Sequence, residues 1–177
     1  YLAADPEDIR RWRLRLGDAP GLKVGLTWQG NPAQGAEPHR SIPLRLLAPL
    51  LGVAGTRFFA LQKEFGREQM QDLPAGLLDD LGPELGDYAD TAAAIAGLDL
   101  VITTCTSVAH LAGALAKPVW ILLAQVPDWR WGMTGETTPW YGSARLFRQA
   151  RAGDWADVSE RVAEALGERD RRAPARR

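Results

Sequence analysis

The fold is decided by residues 98–116, which read LDLVITTCTSVAHLAGALA. The first six are a largely apolar run of the length of a buried parallel strand. Apolar residues at helical spacing follow, at positions 108, 111, 112 and 115. This stretch therefore predicts a strand over 98–103 and a helix over 106–116, joined by a turn of small hydroxylated residues.

The turn between them is a candidate anion site. Thr104, Thr106 and Ser107 follow the carboxyl end of the strand, and the first turn of a helix carries unpaired N–H groups and a partial positive charge. His110 lies four residues after Thr106, on the same side of the helix. Together these side chains could hold a phosphate. In the alternative interpretation Thr106 or Ser107 only caps the helix, and His110 donates to a backbone carbonyl.

Strands and helices alternate along the rest of the chain. Residues 5–17 carry the cap, the first-turn proline and the terminal glycine of a short helix. Residues 64–83 are predicted to be irregular, with one helical turn and a short strand near Leu77. Further strands are predicted at 22–28, 56–62, 118–123 and 144–147, and further helices at 41–51, 90–96 and 154–166.

This alternation favours an α/β fold, a Rossmann-like three-layer domain with a mainly parallel sheet. Ligands of such domains bind beyond the carboxyl ends of the strands. With 177 residues, 46% of them hydrophobic, the chain can form one core. We expect the domain to span 20–167, after a helix and linker at 1–19 and before a frayed, charged tail at 168–177, for which a basic interaction arm is the alternative.

Composition excludes several classes of function. The formal net charge of −1 provides no basic field for nucleic acid. Cys105 is the single cysteine, so there is no internal disulfide, and no Cys and His cluster has metal-ligand spacing. Neither a signal peptide nor a span of about twenty apolar residues occurs. We therefore expect a cytoplasmic protein without a metal, and the Tyr at position 1 suggests a piece of a longer one.

The loop after the first strand supplies polar candidates for the same cleft. They are Gln29, Asn31 and Arg40, with Ser41 at the start of the next predicted helix. Arg40 is a fixed cation that could pair with the phosphate held by the turn after residue 103; a solvated arginine is the alternative. The loop has neither Walker nor G-x-G-x-x-G spacing, which argues against a P-loop ATPase or an ordinary dinucleotide dehydrogenase.

Other candidates each have a structural alternative. Gln62 ends the second strand and either reaches the cleft through its amide or is an ordinary polar strand end. Asp90, close to Tyr88, either caps the next helix or holds a ribose hydroxyl. The aromatic-rich segments 127–131 and 139–141 are expected mostly to pack a lid, with one ring able to stack on a base or sugar.

Ten ordered segments resemble the carboxyl-terminal nucleotide-sugar domain of GT-B glycosyltransferases. They are most similar to the heptosyltransferase-like domain that follows tetratricopeptide repeats in many bacterial proteins. The resemblance extends over about 22–166, and its segments are 23–32, 40–44, 61–63, 87–93, 98–102, 109–113, 117–120, 128–131, 139–141 and 145–149.

The resemblance implies a nucleotide diphosphate sugar as donor substrate and no other cofactor. It assigns Arg40, the turn 104–107 and His110 to the diphosphate, and Gln62, Tyr88, Asp90 and Thr91 to the nucleoside. A helix start and an arginine can stabilise the departing diphosphate without metal in an inverting transfer. The implied partners are a missing amino-terminal GT-B half or helical repeats, and an acceptor that is a protein, lipid or glycan, which would allow a place at the inner membrane surface.

Cys105 is where the chain departs from this family, whose turn usually reads Val-Asp-Thr. The carboxylate beside the transfer site is therefore missing, and a neutral thiol does not replace it. The leading hypothesis is a glycosyltransferase domain that is weak or inactive in isolation, with its base unidentified and commonly supplied by the other GT-B half. The alternative is a non-catalytic nucleotide-sugar-binding or protein-interaction module; an epimerase-like enzyme lacks its glycine fingerprint and its Tyr-x-x-x-Lys base here.

Overall fold

A six-stranded, all-parallel sheet forms the centre of the protein. The computed structural model describes residues 2–33 and 37–172. The strands are β1 (Leu22–Thr27), β2 (Thr56–Ala60), β3 (Leu78–Asp80), β4 (Leu100–Thr104), β5 (Val119–Leu123) and β6 (Ala144–Arg148). Their order across the sheet is β3-β2-β1-β4-β5-β6, so β2 and β3 extend to one side of β1 and the last three strands to the other.

Helices cover both faces of the sheet, which confirms the predicted three-layer α/β fold. The helices are α1 (Pro6–Leu16), α2 (Glu37–Arg40), α3 (Ala48–Leu51), α4 (Tyr88–Gly97), α5 (Ser107–Ala114) and α6 (Trp155–Arg172). One face packs on α3 and α6 around Trp28 and Trp155, and the other packs on α1, α4 and α5 around Trp12 and Phe59. None of the described helices is long and apolar enough to cross a membrane.

Several predicted boundaries differ from the structure. The helix predicted at 41–51 is wrong: a 3₁₀ turn at Leu44–Leu47 precedes the four-residue α3, because Pro43 and Pro49 lack the N–H groups that a continuous helix needs. β4 begins two residues later than predicted, since the Leu98 N–H bonds to the Ile95 carbonyl and still belongs to the end of α4.

The carboxyl terminus contains more helix than predicted. α6 continues to Arg172, six residues beyond the predicted end and into the segment expected to be a charged tail. Residues 173–177 of that tail lie outside the described residues. The irregular stretch 64–83 contains 3₁₀ turns at Arg67–Asp72 and Gly82–Glu84, and the short β3, in agreement with the predicted helical turn and strand.

Candidate functional site

Loops at the carboxyl edge of the sheet enclose three neighbouring pockets. The central pocket, about 560 Å³, lies in front of β4 and α5, and its lining includes Asn31, Arg40, Tyr88, Cys105, Thr106, Ser107, His110, Asp128 and Arg130. The β2 pocket, about 350 Å³, lies toward β2 and α4. The β5 pocket, about 520 Å³, lies toward β5 and β6. All three lie where ligands of open parallel sheets bind.

The turn before α5 leaves the first turn of the helix without a side-chain cap. Thr106 occupies the N-cap position, but its side chain makes no capping hydrogen bond. Its hydroxyl instead pairs with the Thr103 hydroxyl at 3.1 Å, and Thr103 in turn meets the hydroxyl of Thr27 on β1. The interpretation of Thr106 as a side-chain cap is therefore wrong. Thr106 and Ser107 both line the central pocket.

Thr104 has a different environment from its neighbours in the turn. Its side chain is fully buried in the sheet and lines none of the three pockets. Its backbone carbonyl accepts from the Thr106 N–H at 2.8 Å and from the Thr103 hydroxyl at 2.9 Å. Thr104 therefore shapes the turn from behind the pocket wall.

The first loop meets this turn through the pairing of β1 with β4. Arg40, half-buried at the end of α2, lines the central pocket together with Asn31. The Asn31 side chain accepts from the Ala33 N–H at 2.9 Å, which stabilises the loop. Ser41, the next residue after α2, lines none of the three pockets. The structure thus brings an arginine and the start of α5 to one pocket.

His110 is held by aromatic residues at the wall of the central pocket. Its Nδ1 lies 3.0 Å from the Tyr141 hydroxyl, and its ring stacks on Trp131 with 5.1 Å between centroids. Tyr141 in turn packs so closely against Gly113 that a Cβ there would lie 2.4 Å from its ring. Burial, and then repulsion from Arg130, lower the pKa of His110. The lowered pKa favours the neutral imidazole, and the contacts with Tyr141 and Trp131 fix its orientation.

This pKa predicts a pH dependence of stability. Because the folded-state pKa of His110 lies below the usual value of about 6.5, the unfolded chain binds the proton first as the pH falls. We expect the melting temperature to fall as the pH drops from about 7 through about 6, and the loss to be smaller in His110→Gln. Melting curves of both proteins at each pH isolate the contribution; identical slopes would contradict it. Asp128 and Arg130, which face His110, are present in both.

Gln62 joins the loops after β1 and β2. Its Oε1 accepts from the N–H groups of Trp28 at 3.1 Å and Gln29 at 3.2 Å. Its Nε2 donates to the carbonyls of Gln29 at 2.8 Å and Phe65 at 2.6 Å. The side chain is buried, its hydrogen bonds all go to backbone, and the residue lines the β2 pocket, so it is not an ordinary polar strand end. Gln62 positions the wall of the β2 pocket.

The remaining candidates divide into those that line the β2 pocket and Asp90, which does not. Gln29, Tyr88 and Thr91 line the β2 pocket; the Gln29 Oε1 accepts from Gln69 at 3.0 Å, Tyr88 is 65% exposed, and the Thr91 hydroxyl donates to the Asp87 carbonyl. Asp90 lines none of the three pockets.

Asp90 is not the helix cap that the sequence predicted. Asp87 caps α4, since its side chain accepts from the N–H groups of Ala89 and Asp90, so the cap lies three residues before the predicted one. The Asp90 carboxylate instead bonds to the Arg11 guanidinium, and to the Gly86 N–H at 3.0 Å. The ion pair with Arg11 lowers the pKa of Asp90. It ties α1 to α4.

Two site residues were missed by sequence reasoning. Asp128 and Arg130 follow β5 and line the central pocket, where two Arg130–Asp128 contacts of 2.9 and 3.0 Å form an ion pair. Their position after a strand's carboxyl end was the available signal. The Arg130 guanidinium lies over the exposed ring of Trp129.

The aromatic segments pack only in part, since Trp131 is buried but Trp129 and Trp140 are 72% and 54% exposed. Trp131 is buried against His110 and donates from Nε1 to the Cys105 sulfur at 3.1 Å. Trp140 fixes the loop by donating to the Arg130 carbonyl at 2.8 Å. Cys105 itself lines both the central and the β5 pockets. Among the described residues, no group of three His, Cys, Asp or Glu side chains could hold a metal ion.

No family model matches the chain. It is 32% identical over 172 residues to Protein FlbA from Caulobacter vibrioides, an alignment that covers 94% of this chain and 28% of FlbA. The chain thus spans less than a third of this relative.

Solved structures with the same fold are heptosyltransferases and a related enzyme. E. coli ADP-heptose lps heptosyltransferase II has a TM-score of 0.69 at 18% identity, over 96% of this chain and 54% of that one. The glycosyl transferase family 9 protein from Veillonella parvula has a TM-score of 0.64 at 14% identity, over 96% and 54%. E. coli heptosyltransferase WaaC, solved with ADP-2-deoxy-2-fluoro heptose, has a TM-score of 0.54 at 16% identity, over 91% and 47%. The chain therefore has the α/β fold of about half of a heptosyltransferase-like GT-B glycosyltransferase.

Proposed function

We propose that this chain is the nucleotide-sugar-binding domain of a glycosyltransferase and that the diphosphate of the donor occupies the central pocket. The observation that carries the proposal is the meeting of Arg40 with the first turn of α5, which has no side-chain cap, in one pocket. Backbone N–H groups, the helix dipole and a guanidinium together form a favourable environment for a diphosphate. Arg130 also lines this pocket, as an ion pair with Asp128.

Leaving-group stabilisation is the chemistry that this arrangement suits. When the glycosidic bond to the sugar breaks, negative charge develops on the departing diphosphate, and donors already fixed in position stabilise it at little reorganisation cost. The neutral His110 can donate or accept a hydrogen bond from its remaining ring nitrogen, because its Nδ1 is engaged by Tyr141. No step in this account needs a metal.

The β2 pocket is the proposed nucleoside site. It adjoins the central pocket and is lined by the loop residues Gln29 and Asn31 and by the exposed ring of Tyr88. Tyr88 also lines the central pocket, where it could pack against a ribose or base. The nucleotide sugar in the WaaC structure supports a nucleotide-linked sugar as the ligand class.

Catalysis depends on parts of the protein beyond this domain. The structural relatives are about twice as long as this chain, and we propose that the residue that deprotonates the acceptor lies in the preceding half. Cys105 favours a second candidate function, a non-catalytic nucleotide-sugar-binding module, because its thiol lines the pocket at the position where the family usually has an aspartate. Both candidates share the same binding site.

Calorimetric titration of the chain with UDP, ADP and GDP, and with their sugars, tests the shared binding step. At least one of the three nucleoside diphosphates should bind, and His110→Ala and Arg40→Ala should weaken it. If none binds, both candidate functions are excluded. Binding that survives both substitutions would exclude the central pocket as the diphosphate site.

Restoring the carboxylate separates the two candidates. In a longer polypeptide that includes the preceding half, Cys105→Asp should raise the turnover of donor sugar several-fold, with Cys105→Ser as the matched control. The Trp131 indole N–H, now 3.1 Å from the thiol, is available to orient the new carboxylate. A rate that is unchanged or lower would show that the missing acid is immaterial to transfer.

A further inference from the structure

The β5 pocket lies beyond the central pocket, on the side away from the β2 pocket. We propose that it holds the sugar of the donor and that the amide of Gln149 binds a sugar hydroxyl there. This inference rests on the proposed function, since it assumes that a nucleoside diphosphate lies across the other two pockets. The donor then lies along the edge of the sheet with its nucleoside in the β2 pocket and its sugar in the β5 pocket.

The pockets are connected in the order that such a ligand requires. The central pocket shares Asn31, Tyr88, Thr106 and Ser107 with the β2 pocket. On its other side it shares Arg40, Cys105 and Asp128 with the β5 pocket. The β2 and β5 pockets have no lining residue in common. A nucleotide sugar is linear, with its diphosphate between nucleoside and sugar, so the three parts match the three pockets in sequence.

The size and lining of the β5 pocket suit a neutral polyol. Its volume of about 520 Å³ is in the range of small-molecule sites. Leu123, Ala124 and Trp155 provide apolar wall, against which the C–H faces of a sugar ring can pack. Polar groups at the same pocket, among them Asp128 and Gln149, can form hydrogen bonds with the hydroxyls of a sugar. Asp128 lines the central pocket as well, so it lies on the side of the β5 pocket nearest the proposed diphosphate site.

Gln149 is a buried donor with an unused hydrogen bond. Its side chain is 5% exposed, and its Oε1 accepts from the N–H groups of Gln125 and Gly153, each at 3.2 Å. These two bonds determine the orientation of the amide, since an oxygen must face both donors. Among the described residues, its Nε2 has no hydrogen-bond partner.

A buried donor of this kind is rarely left unsatisfied in a folded protein. A sugar hydroxyl in the β5 pocket, which Gln149 lines, can accept from Gln149 Nε2. A nucleoside diphosphate alone, which ends at the shared residues, leaves this donor unused. Gln149 is thereby a specificity-determining residue for the group attached to the second phosphate.

The test compares nucleoside diphosphates with their sugars on the same protein. The probes are UDP, ADP and GDP, and UDP-glucose, ADP-glucose and GDP-mannose, titrated by calorimetry. Ala152→Phe fills the exposed rim of the β5 pocket, and Ala150→Phe places the same ring on a neighbouring exposed position that does not line it. We expect Ala152→Phe to weaken the nucleotide sugar at least 10-fold, to change the nucleoside diphosphate less than 2-fold, and Ala150→Phe to change neither.

A spectroscopic readout covers the role of Gln149 itself. The side-chain amide protons of Gln149, identified by their absence in Gln149→Glu, should shift in ¹H–¹⁵N spectra when a nucleotide sugar is added and shift less with the matching nucleoside diphosphate. Equal shifts with both, or none, would overturn the assignment of Gln149.

The outcomes keep the two proposals apart. If nucleoside diphosphates bind and Ala152→Phe leaves the nucleotide sugar unaffected, or weakens both ligands equally, the sugar site is wrong and the diphosphate site stands. If no nucleoside diphosphate binds the unmodified chain, the proposed function fails, and the sugar site fails with it.

Discussion

Replacing Arg40 with alanine should weaken nucleoside diphosphate binding by about 10- to 100-fold. A hydrogen bond to a charged group contributes about 1.5–3 kcal/mol, and about 1.4 kcal/mol corresponds to a tenfold change in affinity. Arg40 lines the central pocket beside the first turn of α5, so its loss leaves the helix start and Arg130 to hold the anion. Calorimetry at fixed ionic strength measures the change.

Arg45→Ala is the matched control, because it removes the same charge from an exposed position on the 3₁₀ turn Leu44–Leu47. It should change the affinity less than 2-fold. Raising the salt concentration should weaken binding more in the unmodified protein than in Arg40→Ala, since one charge interaction fewer is left to screen. Equal losses in Arg40→Ala and Arg45→Ala would mean that only the overall charge matters, and would remove Arg40 from the site.

The fold could be predicted from the sequence because its strands are short apolar runs separated by helical patterns. β4 and β5 are buried along their whole length, and a buried parallel strand has no alternation that could be mistaken for another element. The exact ends of the helices and strands could be predicted less well. The start of α4 depends on whether the side chain of Asp87 or that of Asp90 caps the helix. Asp90 does not cap it, because its carboxylate pairs with Arg11, 79 residues away along the chain.

The site could be predicted only in part, because it too depends on contacts between residues far apart along the chain. Arg40 and Ser107 could be placed at one edge because parallel strands end on the same side of a sheet, and the pairing of β1 with β4 brings their loops together. The position of Asp128 and Arg130 after β5 indicates the same edge of the sheet, but nothing local to residues 127–131 shows that their side chains line this pocket. Nor does the identity of Gln62 show that its amide makes four bonds to two backbone segments.

Those four bonds lead to the largest expected effect on stability. Gln62→Leu should lower the free energy of unfolding by about 2–4 kcal/mol, since it leaves the N–H groups of Trp28 and Gln29 and two carbonyls without their partner and each unsatisfied buried group costs about 1–3 kcal/mol. The expected loss is smaller than the sum of these four costs, because water has partial access to the loop. Urea denaturation measures it from the shift in midpoint at constant slope.

Gln71→Leu, on an exposed residue of the neighbouring 3₁₀ turn, is the control and should change stability by less than about 0.5 kcal/mol. Gln62→Glu should fall between the two, because its carboxylate still accepts from both N–H groups but faces the carbonyls of Gln29 and Phe65 without a proton to donate. A Gln62→Leu protein as stable as the control would mean that water replaces the amide and that the loops after β1 and β2 hold without it. If the amide instead determines their spacing, the folded Gln62→Leu protein should also lose nucleoside affinity, because Gln29 and Phe65, both bonded to Gln62, line the β2 pocket.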